Sequence, residues 1–142
     1  MRWAFLAILA TALASCVTPP ASPEQQAAYF GAVPDAPSAE QLAQAELVTG
    51  YAWASLPDPN DYVMVYPRDA WNAEVQSHVT MECIVLADLH VACTATDDQP
   101  QYNFEQAARN LSTRFVMRPL NNEGVSVVGR RVKLNVWFRL AG

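Results

Sequence analysis

The stretch "VTMECIVLADLHVACTATD", Val79 to Asp97, alternates side-chain character twice, with a break in the middle. Val79, Met81, Cys83 and Val85 fall on one face of an extended chain, and Thr80, Glu82, Ile84 and Leu86 on the other. From His90 to Asp97 the pattern resumes, with Val91, Cys93 and Ala95 sharing a face. A three-residue loop of Ala87, Asp88 and Leu89 then makes a hairpin in which 85 faces 91 and 83 faces 93. That register sets Cys83 directly across from Cys93 on the same face, close enough for a disulfide. A metal site would need further ligands. The only histidines, His78 and His90, fall by parity on the opposite face.

Working outward, Pro67 to about Gln76 predicts a helix that begins at its proline, with Trp71 and Val75 stacked four apart. Asn103 to Arg114 predicts a second, with Asn103 as cap, Gln106 at the capping-box position and a stripe of Phe104, Ala107, Ala108, Leu111 and Phe115. Val132, Leu134, Val136, Phe138 and Leu140 alternate with Arg131, Lys133, Asn135, Trp137 and Arg139, a third strand buried on one side. Helix, strand, strand, helix, strand is an α+β order. One return helix makes strand three parallel to strand two, and the simplest sheet is antiparallel with order 2-1-3, both helices on its single buried face. Strand three is then an edge.

Upstream, MRWAFLAILATALASC has one charge, an eleven-residue apolar run from Trp3 to Leu13, and small residues before a cysteine. This is the layout of a secretory signal, and the run falls short of the roughly 20 residues a membrane-spanning helix needs. Leu13-Ala14-Ser15-Cys16 resembles the bacterial lipobox, so residues 1–15 are expected to be removed and Cys16 to carry lipid. Cys83 and Cys93 then remain as an even pair in an oxidising compartment, which favours a disulfide. Residues 16–50 are rich in Pro and Ala and predict a semi-extended tether with a short helix after the capping box of Ser38 and Gln41. Asp58-Pro59 offers another helix start. The compact domain is expected over 51–142.

The chain carries 9 Lys+Arg against 14 Asp+Glu, a formal net charge of −5, which argues against nucleic acid as partner. From Arg109 onward, however, Arg109, Arg114, Arg118, Arg130, Arg131, Lys133 and Arg139 face only Glu123. This is either the balance to an acidic half or a basic surface for an acidic partner. No Gly-rich phosphate loop, convergent carboxylate pair or nucleophile with a placed base is present, so neither an enzyme nor a cofactor is expected.

Tyr66-Pro67-x-x-Ala70, Val85-x-x-Asp88-x-x-Val91, Pro100, Phe104-Glu105-x-Ala107-Ala108, Arg114-Phe115-Val116-Met117-Arg118-Pro119, Gly124 and the terminal strand occur in an order that resembles the TonB C-terminal domain, over about Tyr62 to Leu140. The resemblance implies a three-stranded antiparallel sheet with two helices, whose last strand pairs with an extended segment of an outer-membrane transporter. By that reading Val132, Lys133, Leu134, Asn135, Val136, Trp137 and Phe138 form the partner-binding edge. Leu89 and Ser77 stand where the family has glycines, and Val63-Met64 where it has a glutamine-proline pair. The expected function is a periplasm-facing lipoprotein, on the outer rather than the inner membrane, that pairs its edge with an outer-membrane or other envelope protein, linked to transport without transducing energy alone. A homodimer is a further expectation, although Arg131, Lys133 and Arg139 on the open face guard the edge itself against self-association. The alternative is a structural envelope lipoprotein docking on peptidoglycan or a membrane complex through its basic, aromatic open face.

Overall fold

A computed structural model describes residues 20–140. It is a mixed α+β fold with a three-stranded and a two-stranded antiparallel sheet. Strand β1 is Trp53–Ser55, β2 is Ser77–Val85, β3 is Val91–Asp97, β4 is Val116–Met117 and β5 is Arg131–Phe138. The larger sheet has the order β3-β2-β5, so β2 is central and β5 lies at an edge. The helices are α1 (Pro23–Phe30), α2 (Ala39–Gln44), α3 (Pro59–Val65), α4 (Arg68–Asn72) and α5 (Phe104–Leu111).

The alternation that predicts β2 and β5 is realised residue by residue. Ser77, Val79, Met81, Cys83 and Val85 of β2 are buried, as are Val132, Leu134, Val136 and Phe138 of β5. Register places Met81 against Leu134 and Val79 against Val136, so both strands bury the same face. Phe104, Ala107, Ala108 and Leu111 of α5 cover that face. Tyr66, Phe104 and Phe138 form a ring cluster with centroids 5.1 to 5.8 Å apart, Tyr66 edge-on to both phenylalanines and these tilted at 44° to each other, worth about 0.5–1.5 kcal/mol per pair beyond burial.

The hairpin turns as its sequence predicts. Cys83 pairs with Cys93 and Val85 with Val91, and the Leu86 amide donates to the His90 carbonyl at 2.8 Å. Leu89 adopts φ 72°, a left-handed conformation that costs a branched residue about 1–2 kcal/mol. It is retained because its side chain packs against the core.

Three expectations need correction. The two-helix count is too low: α2 and α3 form at the expected starts of Ser38 and Asp58-Pro59, and α1 adds a helix where only tether was expected. Asn103 does not cap α5 with its side chain; it takes φ 60° as a left-handed hinge after a 3-10 turn, and Gln106 bonds Asn110 instead. The described part of the tether is not extended. Ser22 and Gln25 form a reciprocal capping box with Pro23 in the first turn, which starts α1. Phe30 ends it inside the core, only 6% exposed. Arg109 donates to the Pro34 carbonyl at 3.1 Å, Asn110 to Gln26 at 3.2 Å and Arg114 to the Tyr29 carbonyl at 2.8 Å. Residues 20–37 are thus a strap across α5, and Leu42 and Val48 continue it into buried positions.

Candidate functional site: the free edge of β5

Successive residues of a strand aim their backbone groups to opposite sides. The Arg131 amide donates to the Glu46 carbonyl, and its carbonyl accepts from the Val48 amide, both at 2.7 Å and both away from β2. Lys133, Asn135 and Trp137 share that outward direction, while Val132, Leu134, Val136 and Phe138 turn their backbone towards β2. Among the described residues, no backbone partner is found for the outward groups of Lys133, Asn135 and Trp137. The edge is therefore capped by the chain itself at Arg131 and open beyond it. The sheet's other edge differs over its first half: α5 and the 3-10 turn Ser112–Arg114 pack against β3, and Val91 and Cys93 are buried, whereas Ala95 beyond them is only partly so.

The residues that expose their backbone also project their side chains from the open face. Trp137 is 52% exposed. The His78 ring stacks on it with centroids 4.1 Å apart and planes 19° apart, and the Arg139 guanidinium lies 5.0 Å over its indole. His78 Nε2 is 3.0 Å from Asn135 Oδ1. Of the basic half, Arg131 meets Glu82 at 3.5 Å and Arg130 meets Glu46 at 3.2 Å. Arg109 and Arg114 are spent on the strap. Lys133 and Arg139 have no carboxylate within ion-pair distance among the described residues. Arg118, exposed and likewise without an ion pair among the described residues, lies away from β5 after β4, so the basic surface at the open edge contracts to Lys133 and Arg139, one at each end.

At the C-terminal end of β5 the edge runs into a groove of about 480 Å³ lined by Pro57, Tyr62, Val63, Trp71, Trp137 and Leu140, among others. Asp58 and Asp61 cap α3 reciprocally, with Pro59 in its first turn, and this start directs Tyr62 onto Phe138 at 6.1 Å. Burial, and then the charge of Asp61, push the Tyr62 phenol above its ordinary value; burial alone raises Tyr66. Both remain neutral donors through the physiological range. The Tyr66 hydroxyl donates to the Val75 carbonyl, tying α3 to the approach to β2. Tyr66 and Pro67 thereby act in the scaffold, Phe104 in the core, and Pro119 accepts from the Val127 amide in the loop before β5.

The sulfurs of Cys83 and Cys93 are bonded, beneath the sheet and away from the open face, with both residues buried. His90 lies outside that cluster; Asp88 Oδ1 accepts from the His90 amide at 3.1 Å, an ordinary turn bond. Among the described residues no group of three or more His, Cys, Asp or Glu could hold a metal, and no helix is long and apolar enough to cross a membrane. Cys16 lies outside the described residues.

Neither the groove nor the cap on Arg131 is visible in the strand pattern, because both depend on where residues 46–63 return to the sheet. Compared with known proteins, the chain matches no family model and no curated protein.

Proposed function

We propose that this chain is a lipid-anchored, periplasm-facing binding protein, without catalytic activity of its own, that takes an extended segment of an outer-membrane or other envelope protein onto the edge of β5. One observation carries this reading: three consecutive outward positions, Lys133, Asn135 and Trp137, offer unpaired backbone on a strand fixed from behind by four buried side chains. A row of that kind pairs with any chain that presents the complementary row. The resemblance to the TonB C-terminal domain supports the same strand and a link to transmembrane transport.

The strap limits reach. Arg68 holds the Pro20 carbonyl at 3.4 Å and Ala21 is buried. Four peptide steps separate Cys16 from Pro20, a span of at most about 14 Å. A lipid on Cys16 would hold the domain close to its membrane, not at the roughly 30–40 Å of a free 35-residue tether. Such a protein receives a partner at the membrane surface; it does not bridge the envelope to transmit force. The alternative, a structural lipoprotein docking through its open face, has the exposed Trp137 stack in its favour.

Photo-crosslinking from a probe at Asn135 in intact cells tests the proposal. Capture of an outer-membrane or other envelope protein is expected, and it should diminish when the probe is moved to the covered edge of β3. Cys16→Ser should release the protein from the membrane fraction. Unchanged fractionation and migration would remove the lipid anchor from the account.

A further inference from the structure

We propose that the groove at the end of β5 is a side-chain pocket, and that with Lys133 it selects partner segments carrying an acidic residue and a large apolar residue five positions apart. The inference rests on the edge-pairing reading above and specifies its ligand.

A strand added to β5 follows from the register. Its residue opposite Lys133 projects from the open face beside that ammonium, because directly paired residues share a face. Its residue opposite Phe138 projects to the helix-bearing side, the side on which Tyr62 of α3 packs against Phe138. There the groove opens between the end of β5 and α3, with Tyr62, Val63, Trp71 and Leu140 in its walls. All four are only partly buried, so an incoming side chain would cover surface that the fold leaves wet. The pair at Arg131 is already taken by residues 46–48. The incoming segment is therefore confined to Lys133 through Phe138, and the spacing of five is set by the strand itself.

Charge decides between occupants. Lys133 and Arg139 flank the open edge without carboxylate partners among the described residues. Two copies of β5 placed edge to edge would combine two strands that contain no acidic residue, which disfavours self-pairing. Glu82 of β2, directly across from Lys133, is engaged by Arg131 at 3.5 Å, which leaves Lys133 to a partner segment bearing Asp or Glu opposite it.

The test uses the detergent-solubilised full chain and fluorescent eight-residue peptides of alternating Thr and Val. One carries Asp second and Phe seventh, the other the reverse order, so that parallel and antiparallel pairing are both sampled. One order should bind, and changing its Phe to Ser should weaken binding by about tenfold or more. Changing its Asp to Lys should weaken binding as well. Val63→Glu, which puts a charge in the groove wall, should abolish the preference for Phe over Ser. Lys133→Glu should reverse the preference for Asp over Lys. A parent protein that does not distinguish Phe from Ser overturns the pocket, as does a preference that survives Val63→Glu. Binding of neither order also overturns it. The edge reading itself falls only if blocking the backbone of β5 leaves partner capture in cells intact.

Discussion

Replacing Arg114 with Met should release the strap without unfolding the domain. Arg114 Nε donates to Asp61 Oδ1 at 3.2 Å and Nη2 to the Tyr29 carbonyl at 2.8 Å. Its guanidinium also covers the Tyr29 and Phe30 rings at 4.7 and 4.9 Å. Breaking a buried pair costs about 3–5 kcal/mol, but the Arg114 side chain is 33% exposed and part of that cost is screened. Asp61 moreover keeps the Tyr29 hydroxyl at 3.0 Å and the Asp58 amide at 2.9 Å. The loss should therefore fall at about 1–3 kcal/mol, concentrated in residues 20–37, since Met preserves most of the apolar stem. Hydrogen exchange followed by mass spectrometry reads this directly. Amides of α1 should lose protection by roughly 5- to 150-fold, while those of β2 hold theirs. Equal protection of α1 in parent and variant, or α1 amides already unprotected in the parent, would refute the strap.

Two further outcomes concern stability. Reduction of Cys83–Cys93, which closes a separation of ten residues, should lower unfolding free energy by about 2–3 kcal/mol; two free thiols in native, unreduced protein would contradict the bridge. The raised Tyr62 and Tyr66 phenols contribute stability that is fully present below the unfolded value of about 10 and lost as pH rises through the folded values. Urea midpoints should therefore fall reversibly above about pH 10, and Tyr66→Phe should flatten that fall; a slope that is the same in parent and variant would exclude Tyr66 from it.

The sheet was legible because period-two alternation in Val79–Leu86 and Val132–Phe138 admits one buried face and one register, and the loop length of the hairpin sets Cys83 against Cys93. The N-terminal strap was not. Its apolar content is a single buried aromatic, Phe30, with small residues around it, and the bonds that hold it run from Arg109 of α5 and Arg114 of the 3-10 turn after it to its backbone carbonyls at Pro34 and Tyr29. Backbone acceptors leave no mark in a hydropathy pattern. Ser22-Pro23-x-Gln25 was the readable signal, the same capping box recognised at Ser38 and Gln41. The short sheet of β1 and β4 has only two paired positions, too few for alternation to register. The basic half was visible in composition, but its division between strap, ion pairs and open edge follows from three-dimensional placement alone.

The central claim is that partner capture runs through the outward backbone of β5, and substitution at Asn135 tests it most directly. The Asn135 amide points away from β2, so proline there removes an outward donor and no bond of the β2–β5 ladder. Threonine keeps the donor, and both variants lose the contact with His78, which makes threonine the matched control. With folding of both verified by circular dichroism and thermal unfolding, in-cell cross-linking from a probe at Lys133 should capture the partner with Asn135→Thr and fail with Asn135→Pro. Equal capture by the two folded variants would mean that the edge of β5 is not the binding site.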